Sequence, residues 1–213
     1  MSAPFPRWAN TIARALVVSA VAAPVAIVLL LMAWVRTSYV TGVGMQVTQP
    51  IPFDHRHHVR DDGIDCLYCH VHAERSDHAG FPSTATCMGC HSQVWNESPL
   101  LATVRQSLWD GQPLVWRRVH DLPDHARFPH RAHVNRGVGC ESCHGRVDLM
   151  PVVHQVAPLT MGWCLGCHRD PAPHLRPRAE ITTMGWRPPP GSGEALAATL
   201  EIAPPTHCSA CHR

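Results

Sequence analysis

Five copies of Cys-x-x-Cys-His constrain this chain more than anything else in it: Cys66-Cys69-His70, Cys87-Cys90-His91, Cys140-Cys143-His144, Cys164-Cys167-His168 and Cys208-Cys211-His212. They use all ten cysteines in the 213 residues, so no thiol is left for a disulfide or a nucleophile. A lone Cys-x-x-Cys suits zinc or a thioredoxin-type redox pair. Neither use calls for a histidine directly after every second cysteine. Five copies, each with the trailing histidine, read as attachment sites for c-type haem. The two thiols bond the haem edge, and the adjacent histidine becomes the proximal iron ligand.

Composition agrees. Twenty prolines and only 6% aromatic residues leave little for a side-chain core. A domain with too little apolar interior needs staples, and covalently held porphyrins supply them. The expected fold class is a multihaem cytochrome c: mostly loops and short helices packed around five covalent haems, with one N-terminal transmembrane helix. A formal net charge of +2 gives no basis for nucleic-acid binding.

Two of the motifs are preceded by a second pattern. Phe53-Asp-His55-Arg-His-His58 stands before Cys66, and Phe128-Pro-His130-Arg-Ala-His133 before Cys140. Each copy continues into a second haem motif, sixteen residues after His70 and nineteen after His144. The duplication predicts two two-haem modules, 53–91 and 128–168. Two imidazoles one helical turn apart project to the same side. The first then serves the next haem motif and the second a neighbouring haem, with the phenylalanine packed on a porphyrin.

Five six-coordinate irons need five distal ligands, and twelve of the seventeen histidines are not proximal. His55, His58, His130 and His133 are the first choices. His120, in Arg-Val-His-Asp-Leu-Pro, is the fifth, with Asp121 or a carbonyl holding its other ring nitrogen. Met150 is the alternative for one position. His57, His72, His78, His125, His154, His174 and His207 read as solvent or hydrogen-bonding residues.

Residues 1–14 carry Arg7 and Arg14 and are expected to be cytoplasmic. Residues 15–35 are uncharged, reach about 31 Å as a helix and lack a small-x-small cleavage site, so they read as a transmembrane anchor rather than a signal peptide. Trp8, Trp34 and Tyr39 flank it as interface aromatics do. The expected placement is single-pass in the bacterial inner membrane, with the haem domain on the periplasmic side. Residues 36–52 form a linker, and 92–127 an insertion between the modules. The insertion holds a short helix over Pro99–Trp109 and a strand or extended stretch over Leu114–Val119. Its tryptophans, Trp95, Trp109 and Trp116, face a partner or cover porphyrins. The Pro-rich segment 169–213 carries the fifth haem and a short helix at Gly193–Leu200.

The order FDHRHHVRDDGIDCLYCH, FPSTATCMGCHSQVW, WRRVHDLPDHARFPHRAHVNRGVGCESCHGRVDLMP, LTMGWCLGCHR resembles the pentahaem cytochrome c subunit of alternative complex III. The individual modules resemble those of class III multihaem cytochromes. The resemblance covers roughly residues 1–178. It implies an electron-transfer subunit of a quinol:electron-acceptor oxidoreductase, with integral membrane and iron–sulfur subunits and a monohaem cytochrome c or soluble carrier as partners. It implies no catalytic site in this chain. The competing readings are an anchored multihaem quinol dehydrogenase feeding a periplasmic reductase, and a multihaem nitrite- or hydroxylamine-type enzyme. The second of these needs a five-coordinate haem, and no variant motif announces one.

Overall fold

The computed structural model describes residues 5–6 and 8–212. Arg7, part of the charge pattern before the apolar run, lies outside them. The chain divides into two units, residues 1–42 and 43–213.

The first unit is built on helix α1, Ala9–Trp34, followed by one turn, α2, Ser38–Thr41. At about 1.5 Å per residue α1 is some 39 Å long. Its most apolar window has a mean hydropathy of 2.7, so by length and composition it is able to cross a membrane. The helix begins six residues earlier than the uncharged run and therefore includes Arg14. It also continues through Pro24. None of its residues is buried, as befits a helix apolar on every side.

The second unit has short helices joined by irregular chain. They are α3 (Cys66–Cys69), α4 (Thr84–His91), α5 (Ala102–Asp110), α6 (His130–Val134), α7 (Glu141–His144), α8 (Met161–Arg169), α9 (Ser192–Thr199) and α10 (Cys208–Cys211). Helices this short are marginal by themselves, and packing must hold them. Local caps help: Asp65 accepts from the Leu67 N–H at 2.8 Å, Ser83 from Thr86 at 3.3 Å, and Thr160 from Trp163 at 3.4 Å. The helix expected in the insertion is present as a 3₁₀ turn, Pro99–Leu101, running into α5. Residues 114–119 are extended without forming a strand. A side-chain clamp holds them instead: Gln49 donates to the Arg117 carbonyl at 2.9 Å and accepts from its N–H at 3.0 Å.

The apolar interior is thin. Among the described residues eight apolar side chains are buried, and only Val104 and Leu175 are sealed completely. A strap of C-terminal chain supplements them. Buried Arg176 donates to Glu141 at 3.1 Å and to the Thr183 carbonyl at 2.7 Å, and lies 5.5 Å over the Trp186 ring. Its N–H meets the Gly137 carbonyl at 2.7 Å. Gly137 has φ +84°, and a Cβ there would press on the Arg176 carbonyl oxygen at 2.8 Å, so the close approach requires glycine. Farther on, Arg178 pairs with Glu74 at 2.6 Å and Thr182 donates to Asp65 at 2.6 Å. The Ile181 carbonyl accepts the Cys140 N–H at 3.0 Å. One strap thus ties residues of both duplicated modules.

Candidate haem-attachment centres

All five Cys-x-x-Cys-His motifs fall on a helical turn: α3, α4, α7, α8 and α10 hold them or all but one of their residues. On such a turn residues i and i+3 share a face, so both thiols address the same edge of a ligand. Every cysteine is at least partly exposed, and none is paired in a disulfide.

The histidine patterns repeat geometrically as well as in sequence. Phe53 stacks on His58, with centroids 4.4 Å apart at 24°, and meets His55 edge-on at 4.8 Å. Phe128 stacks on His133 at 4.3 Å and 27°, and meets His130 edge-on at 4.9 Å. The phenylalanine thus braces the two imidazoles of its own pattern. The helical turn carrying them differs, being a π turn (Arg56–Asp61) in the first module and α6 in the second.

Hydrogen bonds fix the orientation of most rings. Nδ1 lies 2.8 Å from the Gly80 carbonyl in His70, 3.0 Å from Val94 in His91, and 2.7 Å from Pro205 in His168. The same nitrogen meets Asp54 at 2.9 Å in His58, Asp77 at 2.8 Å in His130, and Pro129 at 2.9 Å in His133. A carbonyl only accepts, so Nδ1 carries the hydrogen and Nε2 keeps a free lone pair. That is the tautomer a metal needs. Burial keeps the inner rings neutral. It pushes His144 down to about 3, with His120 and His130 adding to the effect, and His55 to about 4, helped by His70 and His58. It lowers His130 and His133 too.

Three facing pairs have a common spacing. His58 and His91 are 6.1 Å apart between ring centroids, His133 and His168 6.1 Å, and His130 and His144 6.3 Å. A metal bound to two imidazole nitrogens at about 2.0 Å each puts their ring centroids about 6.2 Å apart. The gaps therefore fit one iron each. His55 meets Phe53 edge-on and carries a buried Nδ1 without a hydrogen-bond partner.

His120 and His125 differ from their expected surroundings. His120 packs edge-on against His144 of the third motif, 4.3 Å between centroids, too close for an iron between them. Its Nε2 is buried without a partner, and Asp121, expected to hold the ring, pairs with Arg118 at 3.5 Å. His125, read from sequence as a solvent residue, lies parallel to His212 at 5.7 Å and 24°. Its carbonyl accepts from the His212 ring at 3.3 Å, and Arg127 N–H bonds the Cys211 carbonyl at 2.7 Å. No local signal marks this pair, because it forms across 87 residues of chain. Met150 is buried directly after the 3₁₀ turn Val147–Leu149.

The insertion divides its tryptophans. Trp116 stacks on Phe81 at 6.0 Å, stands edge-on to Phe53 at 6.4 Å and buries its indole nitrogen, so it is not partner-facing. Trp109 is 86% exposed, and Trp95 stacks on His57 at 5.6 Å.

Thiol pairs on helical turns, three of them with an imidazole facing the histidine of their motif, make a binding architecture of the multihaem c-type cytochrome kind. No family model matches the sequence. Over 100 residues, 46% of its length, the chain is 40% identical to the menaquinone reductase multiheme cytochrome c subunit of Nitratidesulfovibrio vulgaris. The match spans 47%, about half, of that relative. The similarity supports a multihaem cytochrome with covalent haem c.

Proposed function

We propose that this chain is the pentahaem electron-transfer subunit of a membrane quinone-linked oxidoreductase, anchored through residues 15–35. The observation that carries the reading is the common spacing of three facing imidazole pairs, each built on an attachment motif. The ten motif cysteines hold five haems, and His70, His91, His144, His168 and His212 are the proximal ligands. Haem supplies a reversible one-electron iron couple, and the chain sets its spacing, shielding and potential. The distal set is His55 for the first motif, His58 for the second, His130 for the third, His133 for the fourth and His125 for the fifth. His120 then acts on His144 rather than on an iron, and Met150 remains a packing residue.

Were each haem held on both faces by the histidines named above, none would be open to substrate, and bond chemistry would belong elsewhere in the complex. Oxidation of a quinol to a quinone releases two electrons and two protons. The protons leave at the quinone-reactive partner, and the electrons cross this chain singly to an acceptor. Alternative complex III is the assembly proposed. Its integral membrane and iron–sulfur subunits lie on the donor side, and a monohaem cytochrome c or soluble carrier on the acceptor side. The haem unit, residues 53–213, is placed in the periplasm. The similarity to a menaquinone reductase subunit favours a second reading, in which electrons flow the other way into a quinone.

Purification from membranes in mild detergent tests both. Five haems per chain by mass, with co-purifying integral membrane and iron–sulfur subunits, support the assignment. A polypeptide with the mass of its amino acids alone overturns it. Quinol-dependent reduction of an added cytochrome c identifies the first direction of flow, and carrier-dependent quinone reduction the second.

A further inference from the structure

The attachment motifs do not neighbour one another in the order in which they occur along the chain. Cys66 of the first motif and Cys140 of the third meet at adjacent residues of the strap: the Cys66 thiol lies 3.9 Å from the Thr182 carbonyl, and the Cys140 N–H bonds the Ile181 carbonyl at 3.0 Å. His58, on the turn that precedes the first motif, faces His91 of the second at 6.1 Å. On α6, His130 faces His144 of the third motif at 6.3 Å and His133 faces His168 of the fourth at 6.1 Å, so one turn bridges these two motifs. The fourth motif meets the fifth where the His168 ring bonds the Pro205 carbonyl at 2.7 Å, three residues before Cys208. Among these contacts none joins the second motif to the third, although they are consecutive in sequence.

The junction between the modules is reciprocal. Cys66 and Cys140 are equivalent positions of the two repeats. The π turn of the first module, Arg56–Asp61, packs on Val147–Leu149, which follows the third motif. In return, α6 of the second module packs on the segment that follows the first motif. Arg131 N–H donates to Ser76 O at 3.0 Å, His130 N–H to Asp77 O at 3.1 Å, the Arg131 guanidinium to the Asp77 carboxylate at 2.9 Å, and Asn135 to Glu74 O at 2.9 Å. Contacts in which i meets j and j meets i are the mark of a two-fold relation. Here the relation joins two halves of one chain. Placing the first motif of each repeat at the local axis sends the second motif of each outward.

Exposure agrees with this arrangement. Of the ten cysteines two are exposed, Cys90 in the second motif and Cys208 in the fifth.

We infer that the five attachment sites form a single file in the order second, first, third, fourth, fifth, with the modules joined head to head at Cys66 and Cys140. The second and fifth sites are the terminals where electrons enter and leave, and the first site is an interior relay. The inference rests on the proposed reading of the motifs as haem sites.

The test uses the full-length holo chain in its membrane complex. Mass spectrometry counts haems per chain. Cryo-electron microscopy then places each iron, identified by the two cysteines bonded to its porphyrin. The expected map gives the first-motif iron the second- and third-motif irons as its nearest neighbours within the chain, with the second- and fifth-motif irons farthest apart. A second-motif iron lying nearest the third-motif iron overturns the order while leaving haem attachment intact. A chain without covalent haem overturns the order together with the function.

Discussion

His125 and His212 lie nearly parallel, with ring centroids 5.7 Å apart, and the backbone of each contacts the other's segment. The His120 ring lies 4.3 Å from that of His144, which leaves no room for an iron between them. His125→Ala should therefore leave five haems attached while opening one axial position. About one fifth of the haem should turn high-spin and bind carbon monoxide, as read by resonance Raman and difference spectra. His120→Ala should leave the high-spin fraction unchanged. The reverse result returns the distal role to His120.

Phe128 stacks on His133 and holds it at the spacing it shares with His168. Phe128→Ala should leave haem content unchanged and alter a single low-spin signal in the electron paramagnetic resonance spectrum. Phe128→Tyr, which keeps the ring, should restore it. An unchanged spectrum for the alanine variant would show that the ring does not position His133.

Trp116 fills the space between Phe53 and Phe81. Burying a large aromatic fully is worth about 3–5 kcal/mol on truncation, and Trp116 is half-buried, so Trp116→Ala should cost about 2 kcal/mol. Denaturant unfolding of the holo protein measures this. Co-purification of partner subunits should be unaffected, because the ring faces inward.

The Arg176–Glu141 pair is shielded, with side-chain exposures of 9% and 22%. Removing one partner of a buried pair typically costs about 3–5 kcal/mol because the other charge is left alone. Glu141→Ala also abandons the Gly185 N–H, now bonded at 2.7 Å. The expected outcome is a clear fall in the denaturation midpoint, and Glu141→Gln should recover part of it.

Replacing α1 and the preceding residues by a cleavable export signal should release a soluble chain with the same number of haems. Retention in the membrane fraction would mean that other residues carry the anchoring.

Much of the site is legible in the sequence because its elements are local. Each Cys-x-x-Cys-His is closed within five residues. The Phe-x-His-x-x-His pattern sits on one turn, and the short helix after Pro99 follows from apolar spacing and its proline. What the sequence hides is set by contacts between distant segments. His125 is marked only by the return of residue 212 to its side. Asp121 turns to Arg118 rather than to His120 through a competition between neighbouring charges that residue types do not decide. Trp116 looks like a surface residue in a Pro-rich stretch until Phe53 and Phe81, from another segment, close over it. The head-to-head junction is likewise invisible in linear order, since repeats read alike whichever way they are joined.

The strap from Arg176 to Gly185 has a consequence for how this protein is made. It bonds Asp65, Glu74, Cys140 and Glu141, all of which leave the ribosome before it does. Until the strap is made, the first and third motifs lack these clasps.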